Sequence, residues 1–332
     1  MLVLVTGGGG FLGKRVIELL IQEGFQARAY LRRPLPELRE AGAEAFYGTL
    51  EDQARLEEAA RGAEAVIHLA AKTGVWGRLD DFLEANARGT ERLLDAARKS
   101  GARYFVHAST PSVVHRGGDL VNADESAPYL TEKRFPYPYS KMLAERAVLE
   151  ANSPSFKTLA LRPHLVWGPG DPHFLPRLFE MERRGKLKFF KGGPYLVSHT
   201  YIDNAAHAHV LALKSLAAGK EVSGLPYFIS EPEPMDVKEL VNSLLRCGNR
   251  PEASGEAPRF LGRAYGALCE GIYRLLRLSG EPPMTAFTAI QLSTSHYFNI
   301  QRAVSLLDYR PLVTTKEAFS RLALYLKEHP PL

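Results

Sequence analysis

Four consecutive glycines stand between an apolar run and a periodic one: Leu2-Val3-Leu4-Val5, then Thr6-Gly7-Gly8-Gly9-Gly10-Phe11-Leu12-Gly13. A stretch without side chains cannot pack, so its use is to let backbone approach something closely. The apolar run reads as a buried strand, and Phe11, Leu12, Val16, Leu19 and Leu20 recur at helical spacing behind it. Strand, bare turn and helix start together make a cradle for a pyrophosphate. The glycines admit the phosphates, and the helix N-terminus offers unpaired N–H groups and a positive dipole end. A glycine-rich β-turn in an unrelated fold would carry the same letters, but the flanking strand and helix favour a dinucleotide site. Gly7, Gly10, Phe11, Leu12 and Gly13 are its candidate contacts.

The second strand, Gln26–Leu31, tells which dinucleotide. An NAD site places an acid about 20 residues past the glycines, on the ribose 2′-hydroxyl. Here Leu31 is followed by Arg32 and Arg33. Guanidinium groups pair with a 2′-phosphate that a carboxylate would repel, so NADP(H) is favoured over NAD(H). Two solvated arginines at a strand end are the plainer alternative.

Further strands are expected at Ala43–Tyr47, Ala65–Ala71, Tyr104–Ala108, Thr158–Leu161 and Tyr227–Ile229. Helices are expected at Asp52–Arg61, Asp81–Ser100, Phe174–Arg184, Asp203–Leu216 and Val237–Leu245. Alternating strands and helices imply right-handed crossovers and an α/β, doubly wound parallel (Rossmann) sheet, with ligands beyond the strands' carboxyl ends. Residues 1–170, with 199–230 returning, are assigned to the dinucleotide-binding core. Residues 171–198 and 231–332 form a smaller, interleaved substrate lobe.

The net charge of +5 is spread along 332 residues without basic blocks, which suits anionic ligands and gives no case for nucleic acid. Cys247 and Cys269 have no metal-ligand or CxxC spacing, so reduced thiols, no metal and a cytoplasmic location are expected. Strand residues from position 2 leave no room for a cleavable leader, and no apolar run is long enough to span a bilayer.

Tyr137 and Lys141 stand four residues apart at the start of a helical run, Met142 to Leu149, and so share a face. A neighbouring ammonium favours phenolate, which would let Tyr137 exchange a proton nearer neutral pH. Pro138 biases Tyr137 toward extended backbone and fits a helix that begins only at 138. An exposed aromatic beside a surface lysine is the competing reading.

Together these stretches resemble the extended short-chain dehydrogenases/reductases. Thr6-Gly7, Gly10-Phe11 and Gly13 match the family's glycine turn, Tyr137 and Lys141 its YxxxK pair, and Ser109-Thr110 the hydroxyl of its triad. His68-Leu69-Ala70-Ala71, Asn86 with Gly89-Thr90, and Arg162–Asp171 also match. Within the superfamily the chain is most similar to the 3β-hydroxysteroid dehydrogenase type, which includes sterol-4-carboxylate dehydrogenases and bacterial reductases of 2-alkyl-3-oxoalkanoic acids. Ala70–Gly77, Ser109–Val113, Val166–Asp171 and Gly280–Pro283 carry that likeness.

The resemblance implies hydride transfer between a nicotinamide and a carbonyl carbon of a bulky apolar substrate. Thr110 would bind the carbonyl oxygen, Tyr137 donate the proton, and Lys141 hold the ribose and lower the Tyr137 pKa. Asn86 would orient a water in the proton path, or bend or cap its helix. Cofactor contacts are implied at Thr49, Leu50, Leu69, Ala70, Ala71 and Pro163, although Thr49 stands where the family usually has an adenine-binding Asp. Substrate contacts are implied at Thr73, Trp76, His164, Trp167 and His199, each with ordinary packing as the alternative. The family's usual homodimer forms through the helices around Asp81–Ser100 and Met142–Leu149.

A nucleotide-sugar epimerase or dehydratase of the same fold is the rival enzyme. Those enzymes carry an Asn for the substrate pyrophosphate where this chain has Leu165. A non-catalytic dinucleotide-binding regulator would not need Thr110, Tyr137 and Lys141 together. Lastly, Arg259–Leu278 reads as an amphipathic helix with Leu261, Tyr265, Leu268, Ile272, Leu275 and Leu276 on one face. Arg259, Arg263, Glu270, Arg274 and Arg277 lie on the other. It is expected to handle a greasy substrate or rest on a membrane surface, or else to pack in the core. Gly262, Gly266 and Gly271 count against its stability.

Overall fold

In the computed structural model, which describes every residue except 277, 279, 331 and 332, the glycine run joins an inner strand of a parallel sheet to a helix. Five strands arrive in order: β1 Leu2–Thr6, β2 Gln26–Leu31, β3 Glu44–Tyr47, β4 Ala65–His68 and β5 Tyr104–Ala108. Lys157–Pro163 and Pro226–Ile229 complete a sheet of seven. From one edge the order is Pro226–Ile229, Lys157–Pro163, β5, β4, β1, β2, β3. The order reverses beside β1, so the turn after β1 opens at the switch point where such sheets bind ligands.

Both faces are covered, which is why the strands read as apolar runs rather than alternating ones. On one face helices Phe11–Gln22 and Ile202–Ala217 bury Val16, Ile17, Leu20, Val210, Leu213 and Leu216. On the other, Gln53–Ala60, Gly89–Lys99 and Pro136–Glu150 contribute Leu56, Leu93, Ala97 and Val148. Local signals set the ends. Asp52 caps Gln53–Ala60 through the Arg55 N–H at 3.0 Å, and Gly24 (φ +82°) turns the chain after Phe11–Gln22. The expected Asp81–Ser100 helix is present in three pieces: Leu79–Phe82, a π-helical turn Leu83–Arg88 holding Asn86, then Gly89–Lys99.

The second half is built from shorter parts. A four-stranded sheet takes Met235–Asp236, Leu196–Val197, His296–Phe298 and Leu120–Ala123 in that order, drawing its last strand from the core half of the chain. Helices Ala286–Gln291, Gln301–Leu307 and Thr315–Glu328, unassigned from sequence, close the chain. Trp167, Leu178, Phe179, Leu240, Leu244 and Leu322 form the lobe's own core. Gln301–Leu307 instead returns Ala303 and Leu307 to the main sheet's core.

The amphipathic helix runs Arg259–Leu275, and its apolar face is not in the core. Leu261, Tyr265, Leu268, Ile272 and Leu275 are exposed, as are Phe260, Leu276 and Leu278. The buried stripe is Gly262, Gly266 and Cys269. A Cβ on Gly262 would lie 2.1 Å from the Phe190 ring, and one on Gly266 2.8 Å from the Thr285 backbone. Two of the glycines expected to weaken this helix are therefore what let it dock. Arg277, placed on its polar face from sequence, lies outside the described residues.

The helix Pro136–Glu150, which carries Tyr137 and Lys141, is anchored by a buried ion pair that the sequence did not announce. Glu145, fully buried, accepts from Arg162 Nη2 at 2.6 Å and from Nε at 3.0 and 3.2 Å. The Tyr129 hydroxyl donates to the same carboxylate at 2.7 Å. Removing one member of a buried pair strands the other charge, so Glu145→Gln is expected to lower the unfolding free energy by about 3 kcal/mol. Urea unfolding of parent and variant checks this; a loss nearer that of a surface pair would remove the anchor from the account.

Candidate active site

The glycine turn is pressed against the end of β4. Gly7 has φ +71°, and a Cβ there would sit 2.7 Å from the Ala70 amide nitrogen. The Gly10 N–H closes the turn onto the Gly7 carbonyl at 2.9 Å, and a Cβ on Gly13 would lie 2.1 Å from that same oxygen. The helix beginning at Phe11 has no side-chain cap, so its first N–H groups stay available to an anion. Leu69, Ala70 and Ala71 flank the turn from β4. A dinucleotide pyrophosphate fits this cradle.

At the ribose end, Leu31 is buried, and Arg32 and Arg33 are exposed. Among the described residues neither arginine makes a hydrogen bond or ion pair, so both guanidinium groups are free for a phosphate. The Tyr30 hydroxyl donates to the Thr49 carbonyl at 3.0 Å, and Leu50 fills the space beside Gly89. Pro163 ends its strand opposite Ile229.

β5 runs into Ser109 and Thr110, and Thr110 caps the short 3-10 turn Pro111–Val114 through the Ser112 N–H at 3.3 Å. The helix that carries Tyr137 and Lys141 begins at Pro136, two residues before the start expected from Pro138. Proline at the first helical position has no N–H to lose. Tyr137 therefore lies inside the first turn, with Phe82 edge-on at 6.5 Å. Burial raises the Tyr137 hydroxyl to about 12, opposed by a hydrogen bond with Thr110. Lys141 does not lower it here. Its ammonium donates to the Ala108 carbonyl at 2.7 Å and lies 3.1 Å from His107 Nε2. Burial pulls Lys141 down to about 7 while Glu145 favours its charge. The structure thus brings Thr110, Tyr137 and Lys141 to the carboxyl end of β5.

Asn86 is fully buried and ties the loop after β4 to the helix Pro136–Glu150. Its Oδ1 accepts the Lys72 N–H at 2.7 Å, and its Nδ2 donates to the Lys72 carbonyl at 3.0 Å and to Ser140 Oγ at 2.9 Å. The π turn leaves the Asn86 carbonyl to the Thr90 hydroxyl at 2.6 Å. Since Thr90 spends its proton there, His68 Nε2, 2.9 Å away, must donate to it, and His68 Nδ1 accepts from Thr6 Oγ1 at 2.6 Å. This Thr6–His68–Thr90 chain, His107 and the Glu145–Arg162 pair escaped the sequence reading. The signal was present as polar residues inside strands otherwise wholly apolar.

Of the residues expected from sequence to touch a substrate, Thr73 is exposed and Trp76 half-buried. Trp76 meets Tyr273 edge-on at 6.3 Å, with the Arg274 guanidinium 5.1 Å from its ring, so Arg259–Leu275 borders this loop. The loop is also held by Glu281, which accepts the Val75 N–H at 3.1 Å and pairs with Arg177 at 3.1 Å. His164 donates from Nδ1 to the Ser198 carbonyl. Its ring lies 5.0 Å from His296, which in turn lies 5.4 Å from His115. His199 Nδ1 accepts the Trp167 N–H at 3.2 Å, while Trp167 itself is fully buried and stacked 4.8 Å from Phe319. Burial keeps these imidazoles neutral, pulling His164 to about 3 and His115 and His199 to about 4. Among the described residues no three His, Cys, Asp or Glu side chains are arranged to hold a metal ion.

The 3-beta hydroxysteroid dehydrogenase/isomerase family matches this chain over residues 4–254. A 2-alkyl-3-oxoalkanoate reductase from Stenotrophomonas maltophilia (strain K279a) is 43% identical over 325 residues, covering 97% of this chain and 98% of its own. A decarboxylating sterol-4-alpha-carboxylate 3-dehydrogenase from Mus musculus is 31% identical over 323 residues, covering 96% and 88%. Among solved structures, a UDP-glucose 4-epimerase from Thermotoga maritima superposes with a TM-score of 0.76 at 20% identity over 99% of each chain, which speaks to fold alone. A parallel seven-stranded sheet, the glycine cradle and near full-length similarity to named reductases and dehydrogenases lead to one assignment: the chain belongs to the 3-beta hydroxysteroid dehydrogenase/isomerase family and is an NAD(P)-dependent oxidoreductase of the short-chain dehydrogenase/reductase type.

Proposed function

We propose that this protein interconverts a ketone and a secondary alcohol on a bulky apolar substrate, a 3-oxo/3-hydroxy acid or steroid-like molecule, using NADP(H). The observation that carries the reading is the meeting of Thr110, Tyr137 and Lys141 at the end of β5. The bound nicotinamide supplies or takes the hydride. Thr110 holds the carbonyl oxygen. Tyr137, kept protonated because burial raises it to about 12, gives its proton to the oxygen as that oxygen becomes an alkoxide. Lys141 keeps one N–H for the ribose after Ala108 and His107 take two. Asn86 acts on position rather than on a proton, because both of its amide N–H bonds are taken by Lys72 and Ser140 and its Oδ1 accepts the Lys72 N–H. Trp76, Thr73, His164 and His199 are read as the substrate side. The two histidines face the carboxylate of a 3-oxo acid, and Trp167 acts through His199. The named relatives support this class, since a 2-alkyl-3-oxoalkanoate and a sterol 4-carboxylate both carry a carboxylate one carbon from the reacting centre.

The exposed face of Arg259–Leu275 belongs to the same reading as a lipid-facing surface. Six large apolar side chains face outward on a helix carrying Arg259, Arg263 and Arg274, as interfacial helices do. A homodimer through Gly89–Lys99 and Pro136–Glu150 is part of it too, supported by the packing of these helices side by side on one face of the sheet. So is a cytoplasmic location, supported by two unbridged cysteines.

Three measurements test this. Titration should show tighter binding of NADPH than of NADH, with the difference lost in Arg32→Ala/Arg33→Ala; equal or tighter NADH binding by the parent rejects the preference. Reduction of a 2-alkyl-3-oxo acid, assayed beside a steroid ketone and a UDP-sugar, should fall roughly 10²–10⁴-fold in Tyr137→Phe with cofactor affinity nearly unchanged. Near-parent turnover would place the proton donor elsewhere. Sedimentation with anionic vesicles should carry the protein down at low salt, and Leu268→Glu should release it, with the vesicle-free control giving the dimer mass. Protein that stays in solution at low and high salt alike excludes the lipid-facing surface.

A further inference from the structure

His107 is a buried imidazole in the middle of β5, where a strand covered on both faces is otherwise apolar. A polar ring in such a place costs stability unless its nitrogens are used. The use is visible. Its Nε2 lies 3.1 Å from Lys141 Nζ, and the same ammonium donates to the Ala108 carbonyl at 2.7 Å. While Lys141 is charged it has donors only, so Nε2 accepts and the ring proton sits on Nδ1. His107 Nδ1 then has no hydrogen-bond partner among the described residues. His209, on the helix Ile202–Ala217, is locked the opposite way. Its Nδ1 donates to the Ala205 carbonyl at 2.7 Å, which leaves Nε2 an acceptor, also without a partner among the described residues. His209 is near enough to act on the charge of His107, so the two rings bring a donor and an acceptor to one buried region.

We propose that His107, fixed as its Nδ1–H tautomer, is the positioning residue of Lys141. It accepts one ammonium proton while Ala108 takes a second, so that the third is presented to the cofactor ribose. This rests on the reading of Lys141 given above. The role differs from that expected of Asn86, which was to orient a water in the proton path or to bend or cap its helix. Asn86 makes no hydrogen bond to Lys141 among the described residues, being held by Lys72 and Ser140.

The groups around the pair settle the sign of its pH dependence. Lys141 faces Glu145 on its own helix, which favours the ammonium; that carboxylate is shared with Arg162 and Tyr129. Tyr137 lies one turn back on the same helix, His107 comes from β5 and His68 from β4. The His68 ring is 5.1 Å from that of His107, and both its nitrogens are occupied by Thr6 and Thr90. Burial above all keeps a proton off His107, and Lys141, His68 and His209 each oppose one as well, so it stays a neutral acceptor. A neutral acceptor stabilises the charged lysine. Without it the Lys141 pKa falls further below its burial-lowered position, and the ammonium is lost at a lower pH.

Two measurements test the proposal. Long-range proton–nitrogen correlation spectra of the cofactor-free parent should show His107 protonated at Nδ1 and bare at Nε2 near neutral pH; a proton on Nε2 overturns the assignment. NADPH affinity as a function of pH should lose its alkaline limb about one pH unit lower in His107→Phe, with binding weakened about tenfold near neutral pH. His107→Gln, whose amide oxygen can reach the Nε2 position, should keep the parent limb. Identical limbs in all three, with both variants melting cooperatively, overturn the positioning role. Because one readout is a ring tautomer and the other a binding curve, a protein that turns over no 3-oxo acid yet shows both effects refutes the substrate reading and leaves His107 in place.

Discussion

The geometry of the site hangs on one buried contact, the fork of Arg162 closed on Glu145. The carboxylate belongs to the helix Pro136–Glu150, one turn beyond Lys141, and the guanidinium to the strand ending at Pro163. The Arg162 guanidinium lies 5.5 Å from the Tyr129 ring and 5.0 Å from the Phe228 ring, which leaves it little freedom to move. Two charges taken out of water gain little net stability over an apolar pair of the same shape. What they supply is direction, since a bidentate pair holds only in one register. That register fixes the Tyr137 and Lys141 end of the helix against β5 and, through Pro163, against the first residues of the lobe.

The parallel sheet was legible because its strands are buried on both faces and its punctuation is glycine. β2 and β5 begin and end where the sequence places them, and the turn after β1 is closed so tightly that only bare backbone fits between Gly7, Gly13 and Ala70. The lobe was illegible for the converse reason. Its strands are two to four residues long, and each acquires meaning only from a partner far along the chain, as when Leu120 meets His296. No period can show in two residues.

Side-chain roles divide along the same line. Spacing put Tyr137 and Lys141 on one face of a helix, and they are there. Spacing could not tell what the ammonium would touch, because Ala108 and His107 come from another strand, 33 and 34 residues earlier. The helix Arg259–Leu275 makes the point differently. Its periodicity was correctly read as amphipathic, but periodicity does not say which face is inward. Close packing against Phe190 and Thr285 favoured the face with no side chains, and the leucines were left outside.

Leu165 shows the same competition in the backbone. It holds a left-handed backbone, φ +42°, between Pro163-His164 and the short strand Val166–Trp167. A branched-chain residue there stores roughly 1–3 kcal/mol of strain, which Asn relieves because it visits that region readily. Here the residue is Leu, and its side chain packs against the apolar cluster around Trp167. The strain is borne without the amide's compensation. The physical gain on the other side of the balance is apolar packing beside the buried Trp167.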